Sequence, residues 1–159
     1  VIGIDFAASL AGCLAYGLVR LGLDAEAPIG SSGVVQNKVR NMTPKDLFIA
    51  ISFGRGLRET VGAAQRARSR NVPTFGITDG HATPIAKYCD AYLVTSIAHT
   101  SFIDSYVAPV SAINAILVAC AHSQSARTLE FLRESEEENA SGARWYSEPR
   151  KADAGEYKK

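Results

Sequence analysis

Hydroxyls, glycines and one guanidinium gather in this chain where a short apolar run ends. The run Leu47-Phe48-Ile49-Ala50-Ile51 passes into Ser52-Phe53-Gly54-Arg55-Gly56-Leu57, and Glu59 follows one turn into a helical pattern. Such a loop offers a hydroxyl, backbone N–H groups at a helix start and a planar cation. That is the equipment of an anion site, with phosphate the obvious candidate. Arg55 suits bidentate pairing with a phosphate or a carboxylate, against the plainer alternative of a solvated loop residue. Other strand-end stretches rich in Ser, Thr or Gly, at 5–9, 28–33, 78–83 and 95–101, add Asp5, Ser31, Thr78 and Ser101 to the candidates. The same residue types also serve simply as helix N-caps and turn formers.

Other chemistries find less support. His81, His99 and His122 are not at metal-ligand spacing and no carboxylate cluster accompanies them, so no metal or cofactor is expected. No catalytic acid/base pair stands out. Cys13, Cys89 and Cys120 form no CxxC, and each sits in an apolar stretch, which suits buried thiols in a reducing cytoplasm. Arg55, Arg58, Arg66, Arg68 and Arg70 load one helical segment with positive charge. Without interleaved aromatics this reads as a solvated face, not a nucleic-acid patch.

The elements that must position the loops alternate along the chain. Apolar runs at 1–4, 23–27, 46–52, 72–78 and 91–95 read as strands, separated by helical patterns at 6–21, 34–40 and 56–70 and a short helix opened by Thr83-Pro84. Leu57, Val61, Ala64 and Ala67 or Arg68 are expected on the inward stripe of the third helix. From about 101 a long helical pattern runs to about 138, ending in the acidic run Glu134, Glu136, Glu137 and Glu138, where fraying is expected. Five strands alternating with helices predict an α/β, three-layer, flavodoxin-like sandwich with a five-stranded parallel sheet. Ligands of such sheets bind outside the carboxyl ends of the strands. The expected division is a folded domain over 1–138 and a polar tail over 139–159, disordered or loosely docked, with Trp145, Tyr146 and Tyr157 its main packing residues.

At 159 residues and net charge +1, the chain is long enough for one domain and too neutral for a bulk nucleic-acid or membrane-surface binder. No run of about 18 apolar residues is present, so no membrane partner is expected. The chain opens on Val1 directly into a strand, with no signal layout, and is expected to be a fragment or a trimmed chain.

The order of motifs resembles a family. Ile51-Ser52-Phe53-Gly54-Arg55-Gly56-Leu57-Arg58-Glu59-Thr60-Val61 is similar to the third-strand loop of sugar isomerase (SIS) domains, with the pattern I-S-x-S-G-x-T-x-E-x-V. Ile77-Thr78-Asp79, Thr83-Pro84-Ile85-Ala86 and Cys89-Asp90-Ala91-Tyr92-Leu93 resemble the family's I-T-(D/N), S-P-L-A and A-D-x-x-L. Gly3 through Leu21-Gly22 is similar to its opening segment. The form Ser-Phe-x-Arg-x-x-Arg-Glu-Thr-Val, with Ser101-Phe102 and Ser105 before the last helix, resembles the RpiR/MurR-type bacterial transcriptional regulators. The resemblance covers about residues 1–135. It implies a phosphosugar or aminosugar-derivative ligand, homodimers or tetramers formed partly through the last helix, and DNA contact only through an N-terminal helix-turn-helix domain missing from this chain.

The departures bear on the chemistry. Asp5 and Ala7 stand where the family has a glycine and a serine, and Gly54, Arg55 and Leu57 stand where it has a hydroxyl, a glycine and the phosphate-binding threonine. Hydroxyl donors are lost while a guanidinium appears, so the loop can read a different anion. Asp5 repels a phosphate unless it pairs with Arg55 or accepts from a sugar hydroxyl. Glu59 is read as a ligand residue, a dipole partner or an ion pair with Arg55. The expected role is a non-catalytic, cytoplasmic sensing domain. The alternatives are a ketose/aldose phosphate isomerase, its base drawn from His81, His99 or Glu59, and a domain that only dimerises.

Overall fold

The computed structural model describes residues 1–28, 32–99, 102–140 and 142. Its helices are α1 (Phe6–Arg20), α2 (Ser32–Asn41), α3 (Arg58–Ser69), α4 (Pro84–Tyr88), α5 (Val107–Ser123) and α6 (Ser125–Ala140), and its strands are β1 (Phe48–Ile51), β2 (Thr74–Thr78) and β3 (Ala91–Val94). The strands pair in parallel in the order β1-β2-β3, with Phe48 opposite Thr74 and Phe75 opposite Ala91.

β1 is buried along its whole length, as its unbroken apolar run demands, and alternation along it feeds two cores. Phe48 and Ala50 pack with Val35 and Val39 of α2, Ala63, Ala64 and Ala67 of α3, and Ile85 of α4. Ile49 and Ile51 pack with Leu10, Leu14 and Leu18 of α1 and Ile113 of α5. Helices therefore cover both faces, giving the three layers. The three alanines of α3 bring that helix close to the sheet, and Thr60 joins its buried stripe. Leu57, expected inward, is exposed, and of the alternatives Ala67 or Arg68 it is Ala67 that is buried.

Three of the five expected strands form. Residues 1–4 contribute one parallel bridge, in which Ile2 N–H donates to Ile49 O (2.7 Å) and Ile51 N–H donates to Ile2 O (2.8 Å). The segment ends there because Asp5, at φ 54°, turns the chain straight into α1. Residues 23–27 run beside Val1, whose ammonium donates to Glu26 O (2.7 Å), but they form no ladder. Their alternating acidic residues, Asp24 and Glu26, are exposed and Pro28 follows, a composition suited to a loose edge.

The last helical pattern also differs. It starts at Val107 and breaks at Gln124 (φ −130°, ψ 40°), where α6 turns 104° away from α5. Thr128 N–H donates to Gln124 O (2.9 Å), opening the new helix. The turn sets Phe131 against Gly22 and lets Arg127 Nη2 donate to Gly22 O (3.2 Å), contacts that a straight helix would carry away from the body. Pro109 stands in the first turn of α5, where its missing N–H costs nothing.

The Cys89-Asp90-Ala91 motif fixes the start of β3. Asp90 Oδ2 accepts from Thr74 Oγ1 (2.8 Å) and Thr74 N–H (3.0 Å), while Asp90 N–H donates back to Thr74 Oγ1 (2.9 Å). These bonds, with Arg68 Nε 3.3 Å from Oδ1, hold the carboxyl below the usual carboxylate range. Burial pushes the Cys89 thiol up to about 11, leaving it inert. Cys13, expected buried, is exposed. Among the described residues, no single helix is long and apolar enough to cross a membrane.

Candidate functional site

The loop after β1 keeps the pairing going for one residue, as Ser52 N–H donates to Ile77 O (3.0 Å). It then turns through Gly54 (φ 62°) and Gly56 (φ 70°), left-handed conformations that L side chains rarely adopt. At Gly56 a Cβ would also meet Val61 Cγ2 at 3.1 Å and Ser52 Oγ at 3.6 Å, so glycine there keeps space open over the serine. Ser52 is 7% exposed, and its hydroxyl makes no hydrogen bond to the described residues.

α3 opens directly from this loop without a side-chain cap. The N–H groups of Arg58, Glu59 and Thr60 lie ahead of its first i to i−4 bond, from Val61 N–H to Leu57 O (3.0 Å). Uncapped N–H groups and the positive end of the helix dipole favour an anion there. Thr60 Oγ1, in the same turn, is buried without a partner among the described residues. Arg55 is exposed and, among the described residues, pairs with neither Asp5 nor Glu59.

The neighbouring strand end reaches into this loop. Asp79 Oδ1 accepts from Gly54 N–H at 2.7 Å, so one donor of the loop is already satisfied by a carboxylate of the chain. Thr78 Oγ1 donates to Thr83 Oγ1 (2.9 Å), Thr83 donates to Gly80 O (3.1 Å), and Thr83 Oγ1 caps α4 by accepting from Ala86 N–H (3.3 Å). Thr78 thus serves the turn before α4. Thr95, one residue beyond β3, is buried, and its hydroxyl has no partner among the described residues.

Aromatic rings tie three segments together at this end. Phe6, next to Asp5, stacks on Tyr106 (centroids 4.0 Å, interplanar 26°), and Phe53 meets the same ring edge-on (5.8 Å, 65°). The histidines are held within their own surroundings. His81 Nδ1 lies 3.2 Å from Tyr92 Oη, and His99 Nε2 lies 3.5 Å from Asp104 Oδ1. His122 is exposed near the end of α5.

Ser52, Phe53, Gly54, Arg55, Gly56 and Glu59 therefore share one loop and helix start, with Thr78 beside them and Asp5 linked through Phe6. Ser31 and Ser101 lie outside the described residues. Asp79 and the ring pair Phe6–Tyr106 are absent from the sequence-derived set. Asp79 follows Thr78 in a strand-end motif, which is a usable signal, whereas nothing in the sequence pairs Phe6 with a ring a hundred residues away. A cavity of about 950 Å³ lies at the other end of the sheet, lined by Ile2, Val39, Met42, Phe48, Phe75 and Cys120 among others. One of its cations, Lys38, is already paired with Glu26 (2.8 Å), and the free donors described above are not in its walls.

Comparison with known proteins agrees with this geometry. The SIS domain family model matches residues 22–119. The chain is similar in structure to the sugar isomerase domain of an RpiR transcription factor from Sphaerobacter thermophilus, with 32% identity over 86% of this chain and 76% of that one, at a TM-score of 0.80. The Vibrio vulnificus NanR protein complexed with ManNAc-6P shares the fold at 20% identity, TM-score 0.76, over 86% of this chain and 52% of that one. A candidate sugar-phosphate isomerase from Listeria monocytogenes does so at 17% identity, TM-score 0.65, over 78% and 68%. No curated protein sequence matches the chain significantly. By its family-model match and its similarity to the RpiR domain, the chain belongs to the SIS domain family.

Proposed function

We propose that this is the non-catalytic, ligand-sensing domain of a bacterial RpiR-type transcriptional regulator, acting in the cytoplasm. It binds a phosphorylated sugar or a related carbohydrate derivative at the carboxyl ends of the strands. DNA is contacted only through a separate helix-turn-helix domain. The observation that carries the reading is the Ser52 hydroxyl, on a buried residue and without a hydrogen bond to the described residues, set beside the uncapped start of α3 and an Arg55 that no acidic side chain among the described residues engages. The 32% identity to an RpiR domain supports the regulator role over an isomerase. In this reading the sensing domain spans residues 1–138, with 139–159 a polar tail, and residues 1–4 and 23–27, tied here by one bridge and one amine contact, are the segments that would complete a five-stranded sheet.

The domain pairs through α5, as a dimer or a tetramer built from dimers. That helix is apolar nearly all round, yet only Pro109 and Ile113 are buried, and Val107 (74%) and Val118 (57%) are exposed. Such a helix needs a partner.

A thermal-shift screen of phosphorylated sugars and sugar acids tests the ligand role. A ligand at 100 times its Kd stabilises by about 2.7 kcal/mol, which is readily read. No shift with any of them would overturn the sensing role. The second reading, a phosphosugar isomerase, draws on the His99–Asp104 pair in a strand-end loop, since isomerisation needs a base within reach of the sugar C1 and C2. Turnover of pentose, heptose or hexosamine phosphates that disappears on changing His81, His99 or Glu59 would establish it instead.

A further inference from the structure

We infer that this site selects a ligand whose anionic end is a carboxylate, a sugar acid, over a phosphate ester of the same sugar. The inference rests on the ligand-site reading given above and narrows it by counting what the loop offers. A phosphate dianion is held best by many donors converging on it and is disfavoured by neighbouring negative charge. Here one loop N–H, that of Gly54, is donated to Asp79 Oδ1 at 2.7 Å, and another, that of Gly56, is donated to Phe53 O at 3.3 Å. The hydroxyls between β1 and α3 reduce to one, Ser52, leaving it and the uncapped N–H groups of the first turn of α3 as the donors.

Charge points the same way. The Asp79 carboxylate is hydrogen-bonded onto the loop itself, and Glu59 stands in the first turn of α3. A doubly charged phosphate arriving beside them meets repulsion from both. A carboxylate brings half that charge and is planar. It pairs with the fork of Arg55 as well as a phosphate would, a fork that no acidic residue among the described residues engages, so the charge beside the loop decides between the two. The Phe6–Tyr106–Phe53 cluster supplies an apolar wall at this end of the sheet, suited to the C–H face of a sugar ring.

The test compares probes that differ only at the sixth carbon. Calorimetric titration of the full chain uses hexuronates, hexose 6-phosphates and the parent hexoses of gluco, galacto and manno configuration, with inorganic phosphate as a further probe. The expected result is at least tenfold tighter binding of the uronate than of the 6-phosphate of the same configuration. Equal or tighter binding of the 6-phosphate overturns the inference and leaves the sensing role standing, whereas binding of neither class overturns both. Asp79→Asn keeps the acceptor for Gly54 N–H and removes the charge. It is expected to raise 6-phosphate affinity several-fold more than uronate affinity, and an unchanged ratio overturns the part assigned to Asp79.

Discussion

Replacing Arg55 is the sharpest probe of the loop. The side chain is exposed and, among the described residues, engages no acidic partner, so Arg55→Ala should leave folding stability within about 0.5 kcal/mol. Whatever affinity it loses is then a binding effect. A hydrogen bond to a charged group contributes roughly 1.5–3 kcal/mol, and solvent exposure argues for the lower end, about 1.5 kcal/mol or tenfold in Kd. Arg55→Lys keeps the charge but not the planar fork, so it should recover only part of the loss. Ser52→Ala removes a neutral donor and should cost about 0.5–1.5 kcal/mol of binding. Arg58→Ala, at the first helical position and exposed, should change little. Titration calorimetry of the four variants with the tightest probe of the screen decides the matter. Equal losses at Arg55 and Arg58 would mean diffuse attraction, and no loss at Arg55 would place the pocket elsewhere.

Three further outcomes follow from the packing. Gly76→Ala would put a Cβ 2.5 Å from Ile85 Cγ2 and 3.3 Å from Cys89 Sγ, so urea unfolding should show a loss of about 1–3 kcal/mol. Thr83→Ala removes the cap of α4 and the acceptor of the Thr78 hydroxyl, and should cost about 1–2 kcal/mol in the same assay. The hydroxyl of Thr74, its N–H and Arg68 hold the Asp90 carboxyl below its ordinary value. Its contribution to stability is therefore complete above that ordinary value, near pH 4, and is lost as pH falls through the depressed one. Urea midpoints measured from pH 7 down to pH 2 should fall less steeply for Asp90→Asn than for the unsubstituted chain, and parallel curves would refute the assignment.

What the sequence made legible was whatever one local signal decides. The run ending at Ile51 is too short for a helix and reads as a strand buried on both faces, as Phe48–Ile51 is, and Pro84 after Thr83 marks a helix start for steric reasons that need no tertiary context. The loop between β1 and α3 was legible because its residues are consecutive. The break at Gln124 was not, because neither glycine nor proline marks it. It follows from where Phe131 and Arg127 find partners on Gly22, more than a hundred residues away. The same distance hid the Phe6–Tyr106 stack. Residues 1–4 and 23–27 have strand-like composition, yet a strand needs a ladder as well as residues. Here an early turn at Asp5 and exposed acidic side chains on the edge leave one bridge and one amine contact.

The aromatic cluster also bears on how a bound ligand would be felt elsewhere. Phe53 belongs to the loop that holds Ser52 and Arg55, and its ring meets Tyr106, the residue that immediately precedes α5. Phe6 opens α1 and stacks on the same Tyr106 ring, and α1 packs on α5 where Leu117 sits against Gly17. Ligand that reorders the loop therefore presses on the start of the helix that carries the exposed apolar surface. Sensing requires only that the ligand bind one of two packings of this joint better than the other, since coupling cannot exceed that difference in affinity. The joint suits such a role. It consists of ring contacts worth roughly 0.5–1.5 kcal/mol each, small enough for binding energy to rearrange, and Phe53 and Tyr106 are only partly buried where they pack against the core shared by β1, α1 and α5.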